Sequence, residues 1–194
     1  MKSRSLPIML PEIAAEAAAH LLPPPARTLR YVGSVTRQAS ERALKEIEKL
    51  IAKDPLAEVG LFISSPGGTT GAAMSFFDTV RQVLKPALVT IGSGDVDSSG
   101  VIILLAGDRR YLTKNTTMLL HSAGRYFSNQ RYTVKEMEAM LAEDRLKDAQ
   151  YAALLAERSR GGLSTEKALA LMEAQTVLSP ARAVELGLAD AVLR

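Results

Sequence analysis

Past residue 29 the chain alternates between strand-period and helix-period runs of apolar positions. Residues 31–35, Tyr-Val-Gly-Ser-Val, form a short strand-like run. Over residues 38–53, Ala39, Ala43, Leu44, Ile47, Leu50 and Ile51 recur at helical spacing, with Glu41, Lys45, Glu48 and Lys49 between them. That is one apolar stripe on an otherwise charged helix, and Asp54-Pro55 ends it. Residues 59–63 are apolar enough to be a buried strand. Residues 71–84 return to helix, with Met74, Phe77, Val80, Val83 and Leu84 available to pack. A β–helix–β order with so apolar a strand predicts a parallel sheet covered by helices. After Lys85-Pro86 comes a third unit, strand 87–91 and an apolar helix through 101–105, closed by Gly107-Asp108. Short strands follow at 110–112 and 117–120, with a turn at Lys114-Asn115.

Thr133 and Glu136 make a capping box. It opens a helix that runs to about Arg160, where Gly161-Gly162 stops it. A helix of about 28 residues is ~42 Å long at 1.5 Å per residue, too long to lie within one small domain. It is expected to project, with Met137, Met140, Leu141, Leu146, Ala149, Ala153 and Leu154 forming an oligomer contact rather than a cofactor site. Ser164 caps a helix to about Glu173. Ser179-Pro180 opens another to Leu186, stopped by Gly187, and 189–193 reads as a closing strand. Residues 11–22, alanine-rich after Pro11, read as a short helix, with Pro23-Pro24-Pro25 as an extended link. Residues 1–29 are therefore an appendage and 30–194 the main domain.

Composition narrows the chemistry. The 194 residues are 47% hydrophobic and 23% charged, with a net charge of +3, as in an ordinary globular protein. Basic residues form no cluster, so nucleic acid is not implied. The absence of cysteine excludes disulfides, thiolate metal sites and a cysteine nucleophile. Two histidines, His20 and His121, are too few for a histidine-rich metal site, so neither metal nor cofactor is expected. No apolar run is long enough for a membrane span, and residues 14–22 make a poor signal core, so a cytoplasmic protein is expected.

Three places carry candidate chemistry, each just after a predicted strand. Ser98 lies at the corner between strand 87–91 and the helix 101–105. It reads either as a helix N-cap or as a hydroxyl aimed at a carbonyl, with the next amide, at Ser99, facing the negative charge that develops. Gly67-Gly68 is either a plain turn or a place where a free amide faces a ligand. His121 is either a satisfied strand-end histidine or a functional one. Ligand groups in parallel α/β sheets gather at the carboxyl ends of strands, so one crevice can hold all three.

Taken together, these residues resemble the ClpP family of self-compartmentalised serine peptidases over about residues 31–193. The resemblance rests on Ser65-Pro66-Gly67-Gly68; on Met74-Ser75-Phe76-Phe77-Asp78-Thr79 followed by Lys85-Pro86; and on Ser98-Ser99-Gly100 through Ala106-Gly107. It continues in Met118-Leu119-Leu120-His121, in the long helix, and in the closing Leu178-Ser179, Ala183, Gly187-Leu188 and Asp190. It implies an α/β fold of ClpP/crotonase-like repeated β-α units. The head would span about 30–121 and 162–194, with a protruding handle helix at about 122–161. It further implies Ser98 as nucleophile, His121 as general base and acid, and the amides of Gly68 and Ser99 as the oxyanion hole. Gly67, Ser122 and Ala123 would bind the backbone of a peptide or unfolded protein by strand addition. Heptameric rings, stacked into a tetradecamer and fed by an AAA+ unfoldase, are also implied.

The chain departs from the family pattern at four places. The third catalytic position, an aspartate in the family, falls on Gln175, with Glu173 nearby. Asp95 and Asp97 stand before Ser98 where the family has small neutral residues; carboxylates there favour a protonated imidazole and oppose an oxyanion. Ser122-Ala123 replaces the usual Gln-Pro, and residues 1–29 lack the family's docking pattern. The expected function is a serine endopeptidase subunit acting through Ser98 and His121. The alternatives are a ClpP-like pseudoprotease subunit and a crotonase-type acyl-CoA enzyme.

Overall fold

The structure, a computed structural model, describes residues 12–14 and 20–194. Eight strands and six α-helices are used below. They are β1 (Glu12–Ile13), β2 (Thr28–Val32), α1 (Arg37–Lys53), β3 (Val59–Ser65), α2 (Thr70–Asp78), β4 (Leu88–Val96) and α3 (Ser99–Leu105). They continue with β5 (Arg109–Thr113), β6 (Met118–Leu120), α4 (Val134–Arg158), α5 (Thr165–Glu173), β7 (Thr176–Leu178), α6 (Pro180–Glu185) and β8 (Ala191–Leu193). Among the described residues one six-stranded sheet runs in the order β1-β8-β5-β4-β3-β2, and every pairing in it is parallel. β6 and β7 pair antiparallel in a separate two-stranded sheet. The expected α/β architecture is therefore present.

One core joins the sheet to its helices. Val59, Leu61 and Ile63 alternate inward from β3, and Ile47 and Leu50 descend from α1. Every residue of α3 is buried. A helix hydrophobic all round belongs in the interior, and this one runs inward from the end of β4, so its first turn is anchored on all sides. α4 is apolar and buried only near its end, at Tyr151, Ala152, Leu154 and Leu155. Val134, Met137, Leu141 and Leu146 remain exposed.

Four local expectations need correction. Within the helix predicted over 11–22, Glu12–Ile13 form a strand that pairs with β8; Pro11 and residues 15–19 lie outside the described residues, and His20 and Leu21 are helical. The edge of β8 would otherwise leave unpaired backbone groups, and Ile13 packs on Val89, Tyr111 and Ala191. At Glu12–Ile13 strand pairing thus overrides helix propensity. The first main strand begins at Thr28, and Val35 forms only an isolated bridge with Gly68. The helix after Gly68 changes at Thr79 to a π-helical turn ending at Lys85, whose φ is 49°. β7 was not anticipated; at three residues it is too short to show alternation.

Candidate active site

β4 runs on to Val96, and the chain then turns through Asp97, Ser98, Ser99 and Gly100, closed by a Gly100 N–H to Asp97 O bond of 2.8 Å. Ser98 has φ 54° and ψ −126°, the first central position of a type II′ turn, where glycine is usual. A non-glycine residue held there stores backbone strain of about 1–3 kcal/mol. Ser98 stands at the N-cap of α3, yet its side chain makes no capping bond. Thr36, Thr133, Ser164 and Ser179 all do cap their helices. The N-cap reading of Ser98 is thus set aside: position alone suggested a cap, but the turn's backbone sends the hydroxyl elsewhere.

Residues 96–98 run alongside 117–119 and are tied to them. Val96 N–H donates to Thr117 O at 2.9 Å, and Ser98 N–H to Leu119 O at 2.7 Å. Leu119 N–H in turn donates to Asp97 Oδ1 at 2.8 Å. These bonds bring His121, two residues past Leu119, to the serine turn across a long stretch of chain. On the other side lies the turn after β3. A Cβ on Gly67 would come within 2.6 Å of Ser98 Cβ, and Gly67 has φ +91°. Only glycine permits that approach. Val35 N–H donates to Gly67 O and Thr69 N–H to Val35 O, which pins Gly68 between them. Among the described residues, neither the Gly68 N–H nor the Ser99 N–H meets an acceptor.

Gly67, Gly68, Ser98, Ser99, His121, Ser122 and Ala123 all line one cavity of about 810 Å³. Gln175 is not among its lining residues. The β6–β7 register, Leu120 opposite Thr176, places Gln175 across from His121 one step beyond the pairing. Gln175 is exposed, has φ 49°, and makes no hydrogen bond to His121. The His121 Nδ1 instead lies 2.7 Å from the Ser122 carbonyl. No hydrogen bond joins Ser98 Oγ to His121 in this state; catalytic contacts of this kind often close only with substrate bound.

Other residues of the cavity escaped sequence reasoning. The Tyr151 hydroxyl, from the buried end of α4, donates to the Ser98 carbonyl at 2.9 Å. Burial pushes the Tyr151 phenol well above its usual range, and the Asp97 charge adds to this. Asp148 accepts the Ala123 N–H at 2.7 Å. Arg125 donates to Asp144 at 2.6 Å and to Glu143, so the stretch after His121 lies against α4. Only the helical spacing of α4, read together with knowledge of which face meets the site, could have exposed these. Asp97 titrates above the usual aspartate range, mainly through burial and further through Asp95; the Leu119 N–H and His121 pull it back. Among the described residues no group of histidine, aspartate and glutamate could hold a metal ion, and no helix is long and apolar enough to cross a membrane.

The fold and the site define an α/β protein in which the ends of two parallel strands, β3 and β4, and of the separate antiparallel strand β6 bring a serine, a histidine and two amides without acceptors among the described residues to one cavity. A family model described as Clp protease matches residues 19–194. The chain is also similar to the ATP-dependent Clp protease proteolytic subunit of Deinococcus radiodurans, 29% identical over 168 residues, covering 84% of this chain and 78% of that protein. The chain belongs to the Clp protease family, a family of serine peptidases.

Proposed function

We propose that this chain is a proteolytic subunit that cleaves peptide bonds with Ser98 as nucleophile and His121 as its base. The observation that carries the reading is the Ser98 hydroxyl, freed from capping on a strained turn, beside two amides without acceptors. In the step proposed, Ser98 Oγ bonds to the scissile carbonyl carbon and its proton passes to His121 Nε2. The carbonyl oxygen becomes an oxyanion held by the Gly68 and Ser99 N–H groups, each such donor being worth about 3 kcal/mol. His121 returns the proton to the leaving amine, and water then hydrolyses the acyl-enzyme by the same route. An Nδ1–H donated to the Ser122 carbonyl would leave Nε2 as the basic nitrogen, which supports this assignment.

Peptide or unfolded protein, held in extended form along Gly67 and the stretch at Ser122-Ala123, is the proposed substrate. The proposed assembly is a homo-oligomeric ring, stacked through α4, working with an ATP-driven unfoldase in the cytoplasm. A second reading, a ring subunit with little chemistry of its own, is favoured by the exposed Gln175 in the third catalytic position.

A fluorophosphonate serine probe tests the first reading. The purified oligomer is expected to be labelled at Ser98, and Ser98→Ala to abolish both labelling and peptidase activity. An unlabelled, inactive oligomer would sink the peptidase reading and leave the second in place.

A further inference from the structure

The triad position that Gln175 leaves without charge draws attention to the carboxylates near His121. Those on the cavity wall, and those on the turn beside it, come from several elements. Asp95 and Asp97 lie on the segment leading to Ser98; Asp144 and Asp148, with Lys147 and the Tyr151 hydroxyl, come from α4; Arg125 comes from the stretch that follows the histidine. Arg125 pairs with Asp144, and Asp148 is engaged by the Ala123 N–H. Asp95 is exposed. Asp97 differs: it is partly buried, no cation among the described residues pairs with it, and its carboxylate is bonded to the strand that carries His121.

The orientation of Asp97 is specific. Its backbone carbonyl faces Gly67, within 2.9 Å of where a Cβ there would stand. Its side chain accepts the Leu119 N–H at 2.8 Å, while the next residue, Ser98, donates its own N–H to Leu119 O. Leu119 is thus gripped on both backbone groups by the nucleophile turn. In a strand, residues two apart share a face, so this grip bears on the placement of His121. The negative charge is thus held against the histidine strand.

We propose that Asp97 is a positioning residue that replaces the missing third acid: it locks the histidine strand to the nucleophile turn and supplies the charge that stabilises the imidazolium. The inference rests on the Ser98–His121 reading given above. Gln175, exposed and unbonded to the ring, is then free to vary. The Asp97 carboxylate acts through space and through Leu119, and touches no reacting atom.

The test uses the full-length oligomer, with fluorophosphonate labelling rate and peptide kcat/KM followed against pH. Asp97→Asn keeps an acceptor for Leu119 but removes the charge. It is expected to lower plateau kcat/KM about tenfold and to move the acid limb of the profile about one unit lower, the scale of one partly screened charge at several ångströms. Asp97→Ala, which loses the strand lock as well, is expected to fall further. Asp95→Asn, at an exposed and solvent-screened carboxylate, is expected to shift the acid limb less than half as far as Asp97→Asn. In the Asp97→Asn background Gln175→Asp should restore more activity than it adds to the wild type, because the two would share one role. An Asp97→Asn oligomer with wild-type rate and profile would overturn the role, as would an equal gain from Gln175→Asp in both backgrounds. If the wild type itself fails to label, the peptidase reading falls first and this role with it. Thermal unfolding of each variant separates loss of fold from loss of rate.

Discussion

Ser98 and Gly67 depend on each other at the residue scale. The serine occupies a turn position that suits glycine, and the glycine accepts a positive φ so that its backbone can lie against the serine. Gly67→Ala would place a methyl 2.6 Å from Ser98 Cβ and 2.9 Å from Asp97 O. It is expected to cost at least about 1–3 kcal/mol in strain and to slow Ser98 labelling more than tenfold. Denaturant midpoints and labelling kinetics on the same samples check both parts. Much of this was legible in the chain: a serine between a strand and an apolar helix, and a glycine pair after a strand, are local signals. The left-handed φ of Ser98 was not, because the residue at that turn position is a serine and nothing local marks it. Neither Tyr151 as a site residue nor the bond from Asp97 to the histidine strand was legible, since each side chain acts on a backbone group of a different element.

At the scale of elements, Arg110 joins two helix ends. Its guanidinium is 1% exposed and donates to Arg158 O, at the end of α4, and to Gly187 O, just after α6. Burial pushes it down to about 10, with Asp190 pulling the other way. Arg110→Ala leaves a cavity and two half-buried carbonyls without this donor, and is expected to cost about 3 kcal/mol, the low end for breaking a buried charge network. Arg110→Met keeps most of the volume and is expected to cost less than half as much; urea unfolding compares the two. Arg125 clamps the stretch after His121 to α4 through Asp144 and Glu143. Hydrogen bonding from Arg125, and then from Lys147, holds the Glu143 carboxyl down to about 2 against an ordinary 4.5. A depressed acid stabilises the fold fully above its ordinary value and loses that contribution as pH falls through its folded value. The clamp is therefore expected to be complete above pH 4.5 and to weaken toward pH 2, seen as faster amide exchange around residues 122–126. Because the pair is solvent-screened, the effect on global stability is expected to be small. The main helices and the inner strands were readable from periodicity. β1 and β7 were not, because two- and three-residue strands exist only through their partners.

At the scale of the whole molecule, α4 carries an apolar stripe that the subunit does not cover. Val134, Met137 and Leu141 lie at helical spacing on its outer half and are 66%, 48% and 50% exposed. Tyr126 and Phe127, in the stretch before it, are exposed as well. The double change Met137→Glu and Leu141→Glu is expected to shift the protein to a smaller assembly by light scattering, with its thermal unfolding little altered; an unchanged mass would remove α4 from the proposed contact. By itself, the order of apolar and polar positions determined a parallel α/β fold, a buried helix after β4, a long exposed helix and strand-end positions for Ser98, Gly68 and His121. Periodicity is a local property, and each of those features is set by neighbours within a few turns of chain. Tertiary structure alone decided that the Ser98 hydroxyl is not a cap, that Gln175 stays outside the cavity while Asp97 grips the histidine strand, and that the N-terminal segment adds a strand. Those outcomes depend on backbone groups far apart in sequence finding one another, and residue order carries no record of which donor will meet which acceptor.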